Sequence, residues 1–246
     1  MKRKIKVVLI SNTYTPSPIM LVMHEMIKNK GHDSKYLHFY AKKTDDNEKI
    51  ADEVMELCKD ADLIAFTCMT NTFIMGADLM KKIKKRKNIP IAFGGIHSTV
   101  KPLECLGYAD YACIGEGEIA FMKLIDCISN GNDPSKINGF YTKKGNKVIK
   151  NPPGRIVKDL NTLPVPSFNL KDYYGIHNQK LICMENYKEN KEMLKQFFTT
   201  YYITVTSRGC PYKCKFCIND VLKKLDKQYY KIRRRSVEHV MRELKG

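Results

Sequence analysis

Apolar residues in the first 131 positions come as short runs separated by longer stretches of helical spacing. Residues 5–10 form a compact apolar run of strand length. Residues 18–30 carry Ile19, Val22, Met23, Met26 and Ile27 at helical intervals, and Gly31 follows as a stop. Residues 34–40 read as a second strand. Ile50, Val54, Leu57 and Cys58 then share one face of a second helix. Residues 63–67 are a continuous apolar stretch bounded by Asp62 and a polar loop. The third helix begins near Thr72 and puts Phe73, Gly76, Ala77, Met80 and Ile83 on one face. A fourth strand over 89–93 runs into Gly94-Gly95, and Pro90 predicts that it starts beside a free edge or at a bend. The fifth strand covers 111–114. It feeds Gly115-Glu116-Gly117-Glu118 and a helix with Phe121, Leu124, Ile125 and Ile128 on one face, ended by Gly131.

Five short apolar strands alternating with amphipathic helices predict an α/β fold with a parallel sheet covered on both faces. Right-handed crossovers restrict the topology, and the flavodoxin-like (Rossmann-like) order 2-1-3-4-5 is the one expected for residues 1–135. The rhythm then breaks. Residues 138–149 read as a hairpin turning at Lys143-Lys144-Gly145-Asn146. Pro152, Pro153, Pro164 and Pro166 mark an extended linker that wraps rather than folds. Residues 171–200 are polar and tyrosine-rich, with a helix expected around 189–198 and no role assigned. The stretch 136–200 is thus read as hairpin and linker. Residues 201–206 are strand-like, 221–232 are mixed, and Ser236 caps a last helix over 237–245 with Glu238 in its first turn.

Composition changes the picture only modestly. The 246 residues hold 43 Lys plus Arg against 26 Asp plus Glu, a net charge of +17, which favours anionic partners. The lysines are spread along the chain, however. Their densest run, 81–87, falls where the third helix ends and cations complement the helix dipole. No nucleic-acid motif accompanies the charge, so nucleic acid is not an expected partner. Nine cysteines, an odd number set mostly in apolar segments, fit a reducing cytoplasm better than a secreted disulfide framework. The apolar run after the basic start is too short for a signal segment. No stretch approaches the ~18 apolar residues of a membrane span.

The candidate chemistry lies late in the chain. Cys210, Cys214 and Cys217 form a C-x3-C-x2-C run directly after the strand-like 201–206. Thiolates so close in one loop can converge on one metal centre. Zinc sites and iron–sulfur clusters usually take four protein ligands, so three leave a position open. A zinc knob or three unrelated thiols is the alternative. Arg208, Lys213 and Lys215 are cations that either moderate the charge of such a centre or, for the lysines, point to solvent.

The cysteine spacing, with Phe216 before the last cysteine, resembles the signature of the radical S-adenosylmethionine (radical SAM) enzymes. That resemblance implies a 4Fe-4S cluster on Cys210, Cys214 and Cys217. It also implies S-adenosyl-L-methionine on the fourth iron, with Phe216 near the adenine. Upstream, the loops after the strands carry Thr13 and Thr15, Thr70 and Asn71, then Gly94-Gly95-Ile96-His97-Ser98-Thr99, then Gly115-Glu116-Gly117-Glu118. Small residues and hydroxyls there admit a large flat ligand close to the backbone. The last two loops resemble the G-G-x-H-x-T and G-E-G-E stretches of the cobalamin-binding domain in one radical SAM class. Residues 159–166 resemble its inter-domain segment, and 233–236 with the following helix its stretch past the cluster loop.

The resemblance implies cobalamin at Thr13, Thr15, Thr70, Asn71, Gly94, Gly95, His97, Thr99, Gly115, Glu116 and Gly117. It implies a radical enzyme for methyl transfer or rearrangement on an unknown substrate, with an electron donor such as flavodoxin or ferredoxin. The D-x-H-x-x-G motif of cobalt-ligating histidines is absent, so His97 is read as a partner of the loop or the corrin edge. Glu116 either meets a ligand hydroxyl or caps its own loop. Gly115, Gly117 and Ala120 also satisfy a weak dinucleotide pattern, but after the last strand rather than the first. Residues 201–246 are expected to start a radical SAM (β/α) barrel that stays incomplete, making the chain a fragment. Two other functions stay open: a cobalamin carrier or sensor without catalysis, and a basic nucleic-acid-binding protein.

Overall fold

The computed structural model describes residues 3–40, 46–167, 169–187, 194 and 202–245. Its centre is the expected alternation. The first half runs β1 (Lys6–Asn12), α1 (Pro18–Asn29), β2 (Asp33–Phe39), α2 (Asn47–Cys58), β3 (Leu63–Cys68) and α3 (Phe73–Arg86). There follow β4 (Ile91–Gly94), the short α4 (Ile96–Val100) and α5 (Pro102–Cys105), β5 (Tyr111–Cys113) and α6 (Glu118–Ser129). These five strands are parallel and ordered β5-β4-β3-β1-β2, the flavodoxin-like arrangement. Alternate residues of each strand point to opposite faces. Val8, Ile10, Ile64 and Phe66 bury against α2 and α3, while Val7, Leu9, Leu63 and Ala65 bury against α1 and α6. Each of the valine, leucine, isoleucine and phenylalanine side chains among them contributes about 1.5–3 kcal/mol.

Local chemistry starts the helices where the sequence says it should. Ser17 accepts from the Met20 amide ahead of Pro18, and Asp46 accepts from the Glu48 amide at 2.9 Å. The basic end of α3 is solvated and paired: Lys82 meets Asp78, and Arg86 meets Glu48 and Asp52. Pro90 signals no free edge. β4 lies between β3 and β5, starts one residue after Pro90, and the Pro90 carbonyl accepts from Ile64. A proline just outside a strand removes no ladder donor.

The sheet continues past the expected boundary at residue 135. The predicted hairpin is β6 (Phe140–Lys144) and β7 (Lys147–Lys150), antiparallel on β5. At the far margin, β8 (Tyr173–His177) adds parallel to β2 and β9 (Lys180–Cys183) turns back on it, giving nine strands. Polar side chains from distant helices fasten this margin. Lys28 pairs with Asp172, Ser167 donates to Glu25 at 2.6 Å, and Glu53 accepts from Lys180 and the Leu181 amide. Part of the stretch 171–200, to which the sequence assigned no role, is therefore sheet. The helix expected around 189–198 lies, apart from Leu194, outside the described residues.

Residues 202–206, read as a strand, carry no ladder pairing; only Ser207–Arg208 pairs, antiparallel, with Arg233–Arg234. Residues 202–205 instead face Leu160, Leu163 and His239 around a small cavity. A helix at Ile218–Leu225, a 3-10 turn at Lys227–Tyr230 and a helix at Val237–Lys245 follow. Ser236 accepts from the His239 amide at 3.1 Å, the expected cap. Among the described residues no helix is long and apolar enough to cross a membrane.

Candidate cofactor site

A cavity of ≈ 550 Å³ opens beyond the carboxyl ends of the parallel strands. Loops after β1, β4 and β5 make one wall, with Thr13, Gly94, Gly95, Thr99, Gly115 and Gly117. The opposite wall comes from the cysteine-loop region, through Arg208, Gly209, Asn219, Leu222 and Tyr229. Its apolar floor is Met20, Met23, Ala65, Ala92, Phe121 and Phe140, between α1, α6 and the sheet. Ala65 and Ala92 are register partners on adjacent strands. Two methyl side chains abreast leave a trough that larger residues would fill. A Cβ on Gly117 would come 3.0 Å from Met23 Cε and 3.3 Å from Cys113 Sγ. Gly95, at φ 93°, would put a Cβ 2.5 Å from Thr67 Oγ1. Both positions keep bare backbone against the cavity.

Seven of the residues expected at a ligand line this space: Thr13, Gly94, Gly95, Thr99, Gly115, Glu116 and Gly117. Thr15 shapes the first loop instead, its carbonyl accepting from Thr13 Oγ1 at 2.6 Å. Thr70 and Asn71 are exposed on a short turn after β3. His97 is turned away. Its ring stacks on Phe73 at 3.8 Å, its Nδ1 lies 3.3 Å from Thr70 Oγ1, and its Nε2 lies 3.6 Å from Glu104. Burial lowers its pKa against the opposing pull of Glu104. The aromatic contact fixes the ring under the loop, so it partners the loop and not the cavity.

Glu116 lines the cavity and is also engaged from beyond its own loop. Its carboxylate receives Arg233 through both terminal nitrogens and the Val157 amide at 3.2 Å, and lies 3.4 Å from Arg208. Arg208 sits 2.6 Å from Glu118, whose side chain is 1% exposed. Arg233 also donates to the Val157 carbonyl at 2.5 Å. Buried guanidinium and carboxylate groups persist only when paired like this. Arg208 is therefore neutralised by two carboxylates of the β5–α6 loop and is not a spare cation for a metal centre. The sequence reading missed this junction. Its signal was the run Arg233-Arg234-Arg235 together with two glutamates in one glycine loop.

The three loop cysteines are free thiols, Cys214 exposed and the others half-buried. The Cys210 amide donates to the Tyr229 carbonyl and the Cys217 amide to the Cys214 carbonyl, both at 3.0 Å. Among the described residues no three His, Cys, Asp or Glu side chains are grouped to hold a metal ion, these thiols included. The donor set itself suits a three-thiolate site. Cys68 and Cys113 in the cavity wall do not compete, because burial pushes their thiols up to about 12 and keeps them protonated. Lys213 and Lys215 point to solvent. Phe216 is 94% exposed, so it packs on no ring-sized surface in this arrangement.

Comparison with known proteins adds identity to this geometry. Residues 3–125 match the family model described as the B12 binding domain. An uncharacterized methyltransferase of Pyrococcus horikoshii is 30% identical over 192 residues, covering 75% of this chain and 36% of that protein. The cobalamin-dependent radical SAM methyltransferase TokK of Streptomyces tokunonensis is 26% identical, covering 69% of this chain and 23% of its own length. Among solved structures, the radical S-adenosylmethionine methyltransferase TsrM of Kitasatospora setae, with cobalamin and a 4Fe-4S cluster bound, superposes with TM-score 0.69. It shares 17% identity and covers 98% of this chain and 45% of that one, a likeness of fold. The chain thus spans between 23% and 36% of the length of these two curated relatives. The chain belongs to the B12-binding domain family, and the proteins it is similar to include radical SAM methyltransferases.

Proposed function

We propose that this chain holds cobalamin in the cavity and, on Cys210, Cys214 and Cys217, a 4Fe-4S cluster that binds S-adenosyl-L-methionine, serving methyl transfer to an as yet unnamed substrate. The observation that carries the reading is one cavity bounded by both the glycine loops and the cysteine-loop region. The residues fit the group: bare backbone at Gly95 and Gly117, hydroxyls at Thr13 and Thr99, and an apolar floor. When bound, cobalamin supplies methyl-carrying chemistry and the cluster with S-adenosyl-L-methionine supplies radical initiation. The chain's own work is binding and exclusion. The glycine loops present amides and hydroxyls, while Met20, Met23, Phe121 and Phe140 keep water from the floor. Thr15, Thr70 and Asn71 shape and rim the loops.

Methyl transfer is favoured over rearrangement because both curated relatives above are named methyltransferases. Free cysteines throughout fit a reducing cytoplasm, where flavodoxin or ferredoxin would supply the electron. The test is anaerobic reconstitution with iron and sulfide beside a titration with hydroxocobalamin. The expected result is one cobalamin and about four irons per chain. Iron should be lost in Cys214→Ala, and cobalamin in Gly117→Val, which fills the floor. A single zinc in place of iron would refute the cluster, and no cobalamin uptake would refute the cavity assignment. Cobalamin and iron bound without cleavage of S-adenosyl-L-methionine would favour a carrier or sensor.

A further inference from the structure

We infer that Tyr229 couples the two sites, joining the cavity's glycine loops to the backbone of Cys210, so that filling the cavity restrains the first cysteine. The inference rests on the cavity being the cofactor site, and deepens that reading. A continuous run of hydrogen bonds carries it. The Gly95 carbonyl accepts from Thr99 Oγ1 at 3.0 Å, and Thr99 Oγ1 accepts from the Gly115 amide at 3.1 Å. The next amide, Glu116, donates to the Tyr229 phenol at 2.9 Å. The Tyr229 carbonyl then accepts from the Cys210 amide at 3.0 Å. Gly95, Thr99, Gly115, Glu116 and Tyr229 all line the cavity.

Tyr229 is suited to the task because both ends of one rigid residue are engaged. It is 4% exposed. Its turn is capped by Asp226, which accepts from the Gln228 amide at 2.8 Å. The Arg233 guanidinium, itself bound to Glu116, lies 5.7 Å from the ring centroid. Burial and the nearby Glu116 raise the phenol's pKa, so it stays a neutral hydroxyl that accepts from the Glu116 amide. On the other side, a Cβ on Gly115 would reach the phenol oxygen at 2.9 Å, so loop and ring are already in contact. Cys214 is exposed, whereas Cys217 accepts from Asn219 Nδ2 at 3.5 Å and its amide bonds back to the Cys214 carbonyl. Restraint from the cavity therefore reaches Cys210 and not Cys214.

A half-buried thiol is alkylated when its surroundings open locally. A ligand that binds only the closed arrangement suppresses that opening. The experiment measures iodoacetamide alkylation at Cys210 and Cys214 by peptide mass spectrometry, with and without saturating hydroxocobalamin, before any iron is added. The wild-type chain should show Cys210 slowed about tenfold and Cys214 unchanged. Tyr229→Phe keeps the ring and the carbonyl and removes only the phenolic acceptor. At a hydroxocobalamin concentration that saturates this variant by its own titration, Cys210 should be protected less than about twofold. Equal protection of Cys210 in wild type and Tyr229→Phe would overturn the inference, since the ligand would then shield the thiol directly. Equal protection of Cys210 and Cys214 would overturn it too, as a general tightening. No hydroxocobalamin bound by wild type would refute the cavity assignment and this coupling together. Should Tyr229→Phe misfold, Arg233→Lys loosens the same ring from its guanidinium side; full protection there would count against the coupling.

Discussion

The sheet and the cysteine-loop region are built on different physics. In the sheet, Ile10, Phe66, Phe93 and their neighbours bury apolar side chains on both faces. In residues 202–245, Tyr229 is the one apolar-class side chain fully buried among the described residues, beside Lys223, His239 and Glu243. Phe216, Tyr212 and Val237 stand in solvent. What holds this region is directional: Arg233 on Glu116, Arg208 on Glu118, Arg235 on Glu243, the Ser236 amide on Asn161 and His239 on the Leu163 carbonyl. Apolar burial has little angular preference and supplies stability. Charge-assisted hydrogen bonds add less net stability but fix register. The sheet therefore makes the fold, and the polar junction says where the cysteines sit on it.

The largest effect should come from the sheet. Phe66 is buried and stacks on Phe93, with ring centroids 5.9 Å apart. Phe66→Ala should cost about 4 kcal/mol. In urea, circular dichroism and a fluorophore on Cys214 should report one transition, shifted together. A Cys214 signal outlasting the sheet would mean that 202–245 has a core of its own. Next in size is the junction. Glu116→Ala leaves Arg233 buried with no carboxylate beyond the Val157 carbonyl, a cost of about 3 kcal/mol. That cost should be local. Amide exchange at 207–210 and 229–235 should rise about 100-fold while β1 amides hold their rate. Equal acceleration in β1 would erase the distinction between the regions.

The two regions were also unequally legible. Parallel order followed from strands and helices alternating at recognisable spacing, because burial on both faces writes itself into residue type. β8 did not follow. Tyr173–His177 joins β2 by backbone bonds, and its anchors Lys28, Glu25 and Glu53 lie far off in sequence on faces that look merely solvated. Within the site, the glycines of both loops announced close approach. For His97 the sequence left two partners, the loop or a corrin edge, because a motif position does not say which way a ring turns; Phe73 behind it lays the ring on the loop. The floor was hidden in plain apolar residues: Ala65 and Ala92 become a trough only when register sets them side by side. Tyr229 and Arg233 were illegible for a related reason. Their partners, Glu116 and the Cys210 amide, belong to segments brought together only by the fold.

Acid gives the finest separation of the regions. His38 on β2 is buried, its Nδ1 3.1 Å from Ser11 Oγ, and burial pulls its pKa from 6.5 down to about 4. The unfolded chain therefore binds the proton first as pH falls. Stability from the neutral imidazole is complete above about 6.5 and drains away towards 4. Between pH 7.5 and 5.0 that is about 2 kcal/mol. His24 and His97 are displaced in the same direction by burial. Glu243, in the cysteine-loop region, behaves oppositely in timing. Burial alone would raise it, but hydrogen bonds from Thr204, Tyr202 and Arg235 outweigh that and leave its pKa lowered from 4.5. Its contribution survives until the pH drops below that value. Urea midpoints at pH 7.5 and 5.0 should thus fall for wild type and fall less for His38→Gln, with exchange at 235–243 unchanged until lower pH. A variant with the wild-type slope would place the acid-sensitive group elsewhere. Earlier loosening at 235–243 than in β2 would reverse the order, making the polar region, and not the sheet, the first to yield to protons.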